Sequence, residues 1–193
     1  MDLDGEKDGA FVPSKWGNNH GILEIDESLM SQSAELRTTA AHEFFHLIQA
    51  LYDTRWGFTK GVSKPDHYWL KVAASVWSEE FFSDNTDYVS KTRGGNEKEP
   101  FYGWLHQVDQ EPDVHGYGMS ALLKYISKTY GIIKIKDIFQ KIYEGKSVKD
   151  AINEALPNNL SSFYGDFINQ YLQKQIYNDM GPDRFLIDNN GAV

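Results

Sequence analysis

An α+β chain, a small strand region followed by helices, is what these 193 residues predict, and three observations predict it. Two short apolar segments near the start, Ala10 to Pro13 and Gly21 to Ile25, are separated by a Gly- and Asn-rich stretch, the pattern of paired strands and a turn. From Ser33 onward, apolar residues recur at helical spacing in one segment after another. Glycines and prolines stand between those segments, where helices stop.

The first helix is expected from about Ser33 to Asp53. It contains no Pro or Gly, its apolar positions are Leu36, Ala40, Phe44, Leu47, Ile48 and Leu51, and Ser31 or Ser33 is its expected N-cap. A loop with Gly57, Gly61 and Pro65 leads to a second helix over Pro65 to Phe82, with Tyr68, Trp69, Val72, Val76 and Phe82 as apolar positions. Asp84 to Pro100 is polar and contains glycine, as a surface loop does. Then come helices over Gly116 to Tyr130, stopped by Gly131, and Ile135 to Glu144, stopped by Gly145. Ser147 to Ala155 opens with Ser147 and Asp150 spaced as a capping box, and Ser161 to Tyr177 is the last helix. This divides the chain into residues 1–100, with the strands and first two helices, and a helical lobe over 101–193, the two forming one compact unit.

Composition narrows the function. A hydrophobic content of 40% is ample for a core, and a formal charge of -9 with no basic stripe argues against nucleic acid as a partner. No apolar run approaches the ~20 residues of a membrane span, so no membrane insertion is expected. With no cysteine, a thiol nucleophile, a Cys-type zinc site and a disulfide framework are all excluded. The acidic start is unlike a signal peptide, and the strand-like tail FLIDNNGAV suggests a piece of something longer.

The chemistry sits in His42-Glu43-Phe44-Phe45-His46, an HExxH run inside the first helix. Residues four apart on a helix lie one above the other, so the two imidazoles project from one face and can grip a single Zn²⁺. Glu43 stands beside them, placed to take a proton from a metal-activated water and pass it to a leaving amine. A strand region, an HExxH helix and a helical lobe make the layout zincin-like. Two imidazoles need a third protein ligand, and Gln49 and Tyr52 stand where the HExxHxxGxxH form needs Gly and His. A carboxylate on the second helix remains, and WLKVAASVWSEEFFSD offers Glu79 and Glu80.

HEFFHLIQALYD, then WLKVAASVWSEEFF, then GYGMSALLKYISKTYG resemble a bacterial family of gluzincin-type zinc metallopeptidases. In that family an HExFHxxQ helix is followed by a W-x-x-E-[GA]-x-[AS]-x-W-x-[ED] segment, and the likeness covers most of the chain. It implies one catalytic Zn²⁺, a peptide or protein substrate, and an extracytoplasmic or secreted setting. By the same likeness, GILEIDESLM is the edge strand and loop before the active-site helix, with an extended substrate added alongside GILEI as a further strand. Aligning Trp69 and Trp77 with the family's tryptophans puts Val72 where its zinc-binding Glu stands, and valine binds no zinc. Starting the pattern at Trp77 makes Glu80 the ligand but puts Phe81 where a small residue belongs. Glu79 follows Val72 by seven residues, on nearly the same face but ~10 Å along, while Glu80 points roughly 80° away. Both stay open as ligands, at most one being used, or as ordinary solvated or supporting carboxylates.

For the oxyanion that forms when water adds to a carbonyl, His115-Gly116-Tyr117 supplies two candidates, Tyr117 and His115. YGMSALL resembles the tyrosine-bearing helix start of gluzincin aminopeptidases. Gln49 and Asp53, one and two turns after His46, either orient the ligands or make helix-end contacts. His20, His67 and His106 have no partner at ligand spacing, and Asp2-Leu3-Asp4-Gly5 lacks the terminal Glu of a calcium loop. The competing expectation, motivated by Val72, is a degenerate zincin-like binding or scaffolding domain.

Overall fold

The computed structural model describes residues 8–12, 21–52, 67–84, 112–173 and 175–176, with the side chains of 51, 52, 112–115, 117, 160 and 172 left out. Within these, β1 (Gly9–Val12) and β2 (Ile22–Ile25) pair antiparallel in the register Gly9 with Ile25 through Val12 with Ile22. The pair continues one step further, Asp26 N–H donating to the Asp8 carbonyl at 3.0 Å. Asp26 then caps a 3₁₀ turn over Glu27–Ser31, accepting the Ser28 N–H on Oδ1 at 2.8 Å.

That turn feeds α1 (Ser33–Tyr52), and its presence corrects the expected cap. Ser33 is already helical, and the Ser31 hydroxyl bonds back to the Ser28 carbonyl. Gln32 is the residue whose carbonyl accepts the first helical bond, from Leu36 N–H at 2.8 Å. The apolar period is corrected too: Phe44 is 48% exposed, while Ala41, His42, Glu43 and Gln49 are buried. α1 turns a polar face inward.

The next helix explains why that face is tolerated. In α2 (Tyr68–Glu79) every residue from Trp69 to Glu79 is buried. It packs on α1 and also, more extensively, on α3 (Pro112–Tyr130), while the strand pair rests on α1. A helix buried all round must pair its polar groups, and α2 carries Lys71, Ser75, Ser78 and Glu79. Its end falls at Glu79 and not at Phe82, which is 51% exposed. Against α3 the backbones come very close: a Cβ on Gly116 would lie 2.4 Å from Val72 Cβ and 2.8 Å from the Trp69 carbonyl oxygen, so only glycine fits.

α3 starts a turn earlier than the apolar pattern indicated, with Pro112 in its first turn, where the missing N–H costs nothing. After α3 come α4 (Ile133–Tyr143), α5 (Val148–Ala155) and α6 (Leu160–Leu172). The stops are as expected, Gly131 and Gly145 having φ of 90° and 93° at the ends of α3 and α4. Ser147 caps α5, accepting the Asp150 N–H at 3.1 Å and donating to its carboxylate at 2.7 Å. One apolar cluster runs from Trp69, Leu70 and Trp77 through Met119, Leu122, Leu123 and Ile126 to Ile138, Ile152, Phe163 and Phe167. The fold is α+β with helices predominating. No helix among the described residues is long and apolar enough to cross a membrane. The expected surface loop from residue 85 to 100 and the tail lie outside the described residues, as do Asp53, His20 and His106.

Candidate metal centre

α1 and α2 run antiparallel, and three polar contacts join them like rungs. His42 Nδ1 lies 2.7 Å from Glu79 Oε1, both side chains being buried. His46 Nδ1 lies 2.9 Å from Gln49 Oε1 and 3.1 Å from Ser75 Oγ. Gln49 Nε2 donates to the Lys71 carbonyl at 2.9 Å. Lys71, Ser75 and Glu79 are four residues apart in turn, which is why one face of α2 meets one face of α1. The histidine rings stand edge to face with centroids 5.0 Å apart.

The two rings share a location but differ in electrostatics. Burial pulls the His42 pKa down, but the hydrogen bond and charge of Glu79, helped by the charge of Glu43, outweigh it and leave the pKa raised. Burial lowers that of His46, the neighbouring His42 and the Lys71 charge add to this, and only the Gln49 hydrogen bond opposes, so it falls to about 3.

Glu43 is buried beside the pair, and β1 reaches it. A Cβ on Gly9 would lie 2.7 Å from Thr39 Cγ2 and 3.1 Å from Glu43 Cγ, so the bare glycine is what lets the strand lie this close to the carboxylate's stem. The strand brought against Glu43 at this point is β1, not the GILEI strand.

The two downstream carboxylates have different surroundings. Glu79 is in the site as the partner of the first motif imidazole. Glu80 accepts from Lys124 Nζ at 2.7 Å, an ion pair from the end of α2 to α3. Val72 is buried with its Cβ against Gly116, a helix-packing position. His115 and Tyr117 lie in the first turns of α3, on either side of that close approach, and their side chains are outside the described residues. His67, just before α2, is buried. Among the described residues, no group of three His, Cys, Asp or Glu is arranged to hold a metal ion.

Three contributors escaped the reading of the sequence: Ser75, the Lys71 carbonyl and Gly9. Their signal was present in part, as polar residues at 71, 75 and 79 in a helix otherwise rich in apolar residues. Comparison with known proteins adds no relative, since no family model, no curated protein and no solved structure matches the chain.

Proposed function

We propose that the chain is a metal-dependent hydrolase and, more particularly, a zinc peptidase of gluzincin type. The observation that carries this reading is the holding of both HExxH imidazoles through Nδ1, one by a carboxylate and one by an amide and a hydroxyl. Zinc-binding histidines are held in this way, with Nε2 as the nitrogen given to the metal. The donors suit zinc, and His42 and His46 would hold it, with a third protein ligand contributed from outside this pair. Such an ion, when bound, polarises the scissile carbonyl and makes water acidic near neutral pH.

The chain's own residues supply the rest. Glu43 takes the proton of the attacking water and returns it to the leaving amine. Buried beside the two rings, its carboxylate acts where water is scarce and charge interactions are strong. Tyr117, with His115 beside it, donates to the oxyanion. Glu79 serves His42 in the placement seen, so its contribution is to orient that ring. A peptide added as a strand next to Ile22–Ile25 would extend the strand pair that rests on the motif helix.

A second reading, a zincin-like domain serving only to bind or scaffold, is favoured by Val72 packing on Gly116 and by the lack of a third ligand among the described residues. Metal analysis with a peptide-hydrolysis assay separates the two. The peptidase reading expects about one zinc per chain and, for Glu43→Gln, retained zinc with hydrolysis lower by at least ~10²-fold. Protein that takes up no zinc and cleaves no peptide establishes the second reading instead.

A further inference from the structure

We infer that Gln49 is a positioning residue that sets the tautomer of His46, and that the Lys71 backbone carbonyl sets Gln49 in turn. This rests on the zinc reading for its purpose but not for its logic. A backbone carbonyl only accepts hydrogen bonds, so the end of the Gln49 amide 2.9 Å from Lys71 O must be its NH₂ group. The other end, Oε1, then faces His46 Nδ1 at 2.9 Å. That oxygen also only accepts, so Nδ1 must be the nitrogen bearing hydrogen. A neutral imidazole has one N–H, and Nε2 is left with the lone pair a metal needs.

Ser75 alone cannot make this choice. Its hydroxyl, 3.1 Å from the same Nδ1, can donate or accept, so it suits either tautomer. Gln49 can be read only one way because the carbonyl of a buried helix holds it. The rung order also gives Gln49 its place: it is one turn beyond His46 on α1, level with Lys71 on α2. His42 reaches the same tautomer by a separate route, since the Glu79 carboxylate demands a donor at its Nδ1. The site therefore sets its two rings independently, and only one of them depends on Gln49.

The test uses the metal-free protein with ¹⁵N-labelled histidine at pH 8, where two-bond ¹H–¹⁵N spectra distinguish the tautomers; His46→Gln assigns the signal. The wild-type His46 ring is expected to carry its proton on Nδ1. Gln49→Met should redistribute that proton towards Nε2 and leave the His42 ring unchanged. Zinc affinity, read by chelator competition, should fall about tenfold to a hundredfold in Gln49→Met. A wild-type His46 protonated on Nε2 overturns the inference, as does an Nδ1–H signal undiminished in folded Gln49→Met. If Gln49→Met does not fold, the wild-type spectrum decides, a His46 proton on Nε2 counting against. A wild-type ring with Nδ1–H in a protein that takes up no zinc sinks the peptidase reading while supporting the tautomer assignment.

Discussion

Glu79 shows at the scale of a residue what one contact decides. From the sequence it was a carboxylate two turns past the position where the resembling family keeps a zinc ligand; in the fold its Oε1 lies 2.7 Å from His42 Nδ1. Removing it leaves a buried imidazole without the acceptor that orients it. On the proposed zinc reading, Glu79→Ala is therefore expected to weaken zinc binding about tenfold to a hundredfold by chelator competition. It should also lower the stability of the metal-free protein by about 1–3 kcal/mol in denaturant titration. Unchanged zinc affinity would mean that Glu79 plays no part in positioning the ring. Val72, which takes the place of a ligand in the resemblance, packs against a glycine.

Between elements, the governing feature is α2, which faces α1 with polar groups and α3 with close backbone packing. Gly116→Ala would put a methyl 2.4 Å from Val72 Cβ and 2.8 Å from a backbone oxygen, neither of which can yield without shifting a helix. A stability loss of about 1–3 kcal/mol or more is expected, measured by urea unfolding. Because the same shift moves α2 against α1, zinc affinity should fall with it on the proposed reading. A weaker tie joins α4 to α5, where Lys146 and Lys141 both donate to Glu154. Hydrogen bonding to Lys146 and then Lys141 holds the Glu154 pKa below its ordinary 4.5. The bond and charge of Glu154 likewise raise Lys146 above 10.5. Glu154 thus contributes above its ordinary pKa and loses this as pH falls through the depressed value; Lys146 contributes below its ordinary pKa and loses this as pH rises through the raised one. Glu154→Gln should lower Tm slightly at pH 7, lower it less in high salt and lower it less at pH 3 than at pH 7. An equal effect at pH 3 would show that the charge is not responsible.

Over the whole molecule, much of the fold was legible in the sequence because much of it is local. The glycine stops at Gly131 and Gly145 and the Ser147 cap depend on neighbours a few residues away, and each lies where the pattern put it. The two strands were legible for the same reason, to within a residue. Errors fell at helix ends, where α2 closes at Glu79 and not Phe82, α3 opens at Pro112 and not Gly116, and α6 closes at Leu172 and not Tyr177. They fell also at the motif helix, where a polar face turns inward and Phe44 outward. Periodicity assumes that buried means apolar, and that assumption fails where a helix turns hydrogen-bonded polar side chains inward.

What the sequence determined by itself is the HExxH helix with His42, Glu43 and His46 in register, since a four-residue spacing on a helix needs no other part of the chain. It also determined the α+β order of elements. Only the tertiary structure decided which groups stand behind those residues: Glu79 behind His42, Gln49 and Ser75 behind His46, and the Lys71 carbonyl behind Gln49. The physical reason is that hydrogen bonds across two antiparallel helices depend on their relative shift and rotation. These are set by packing between helices, including the contact of Val72 with Gly116, and no local pattern encodes them.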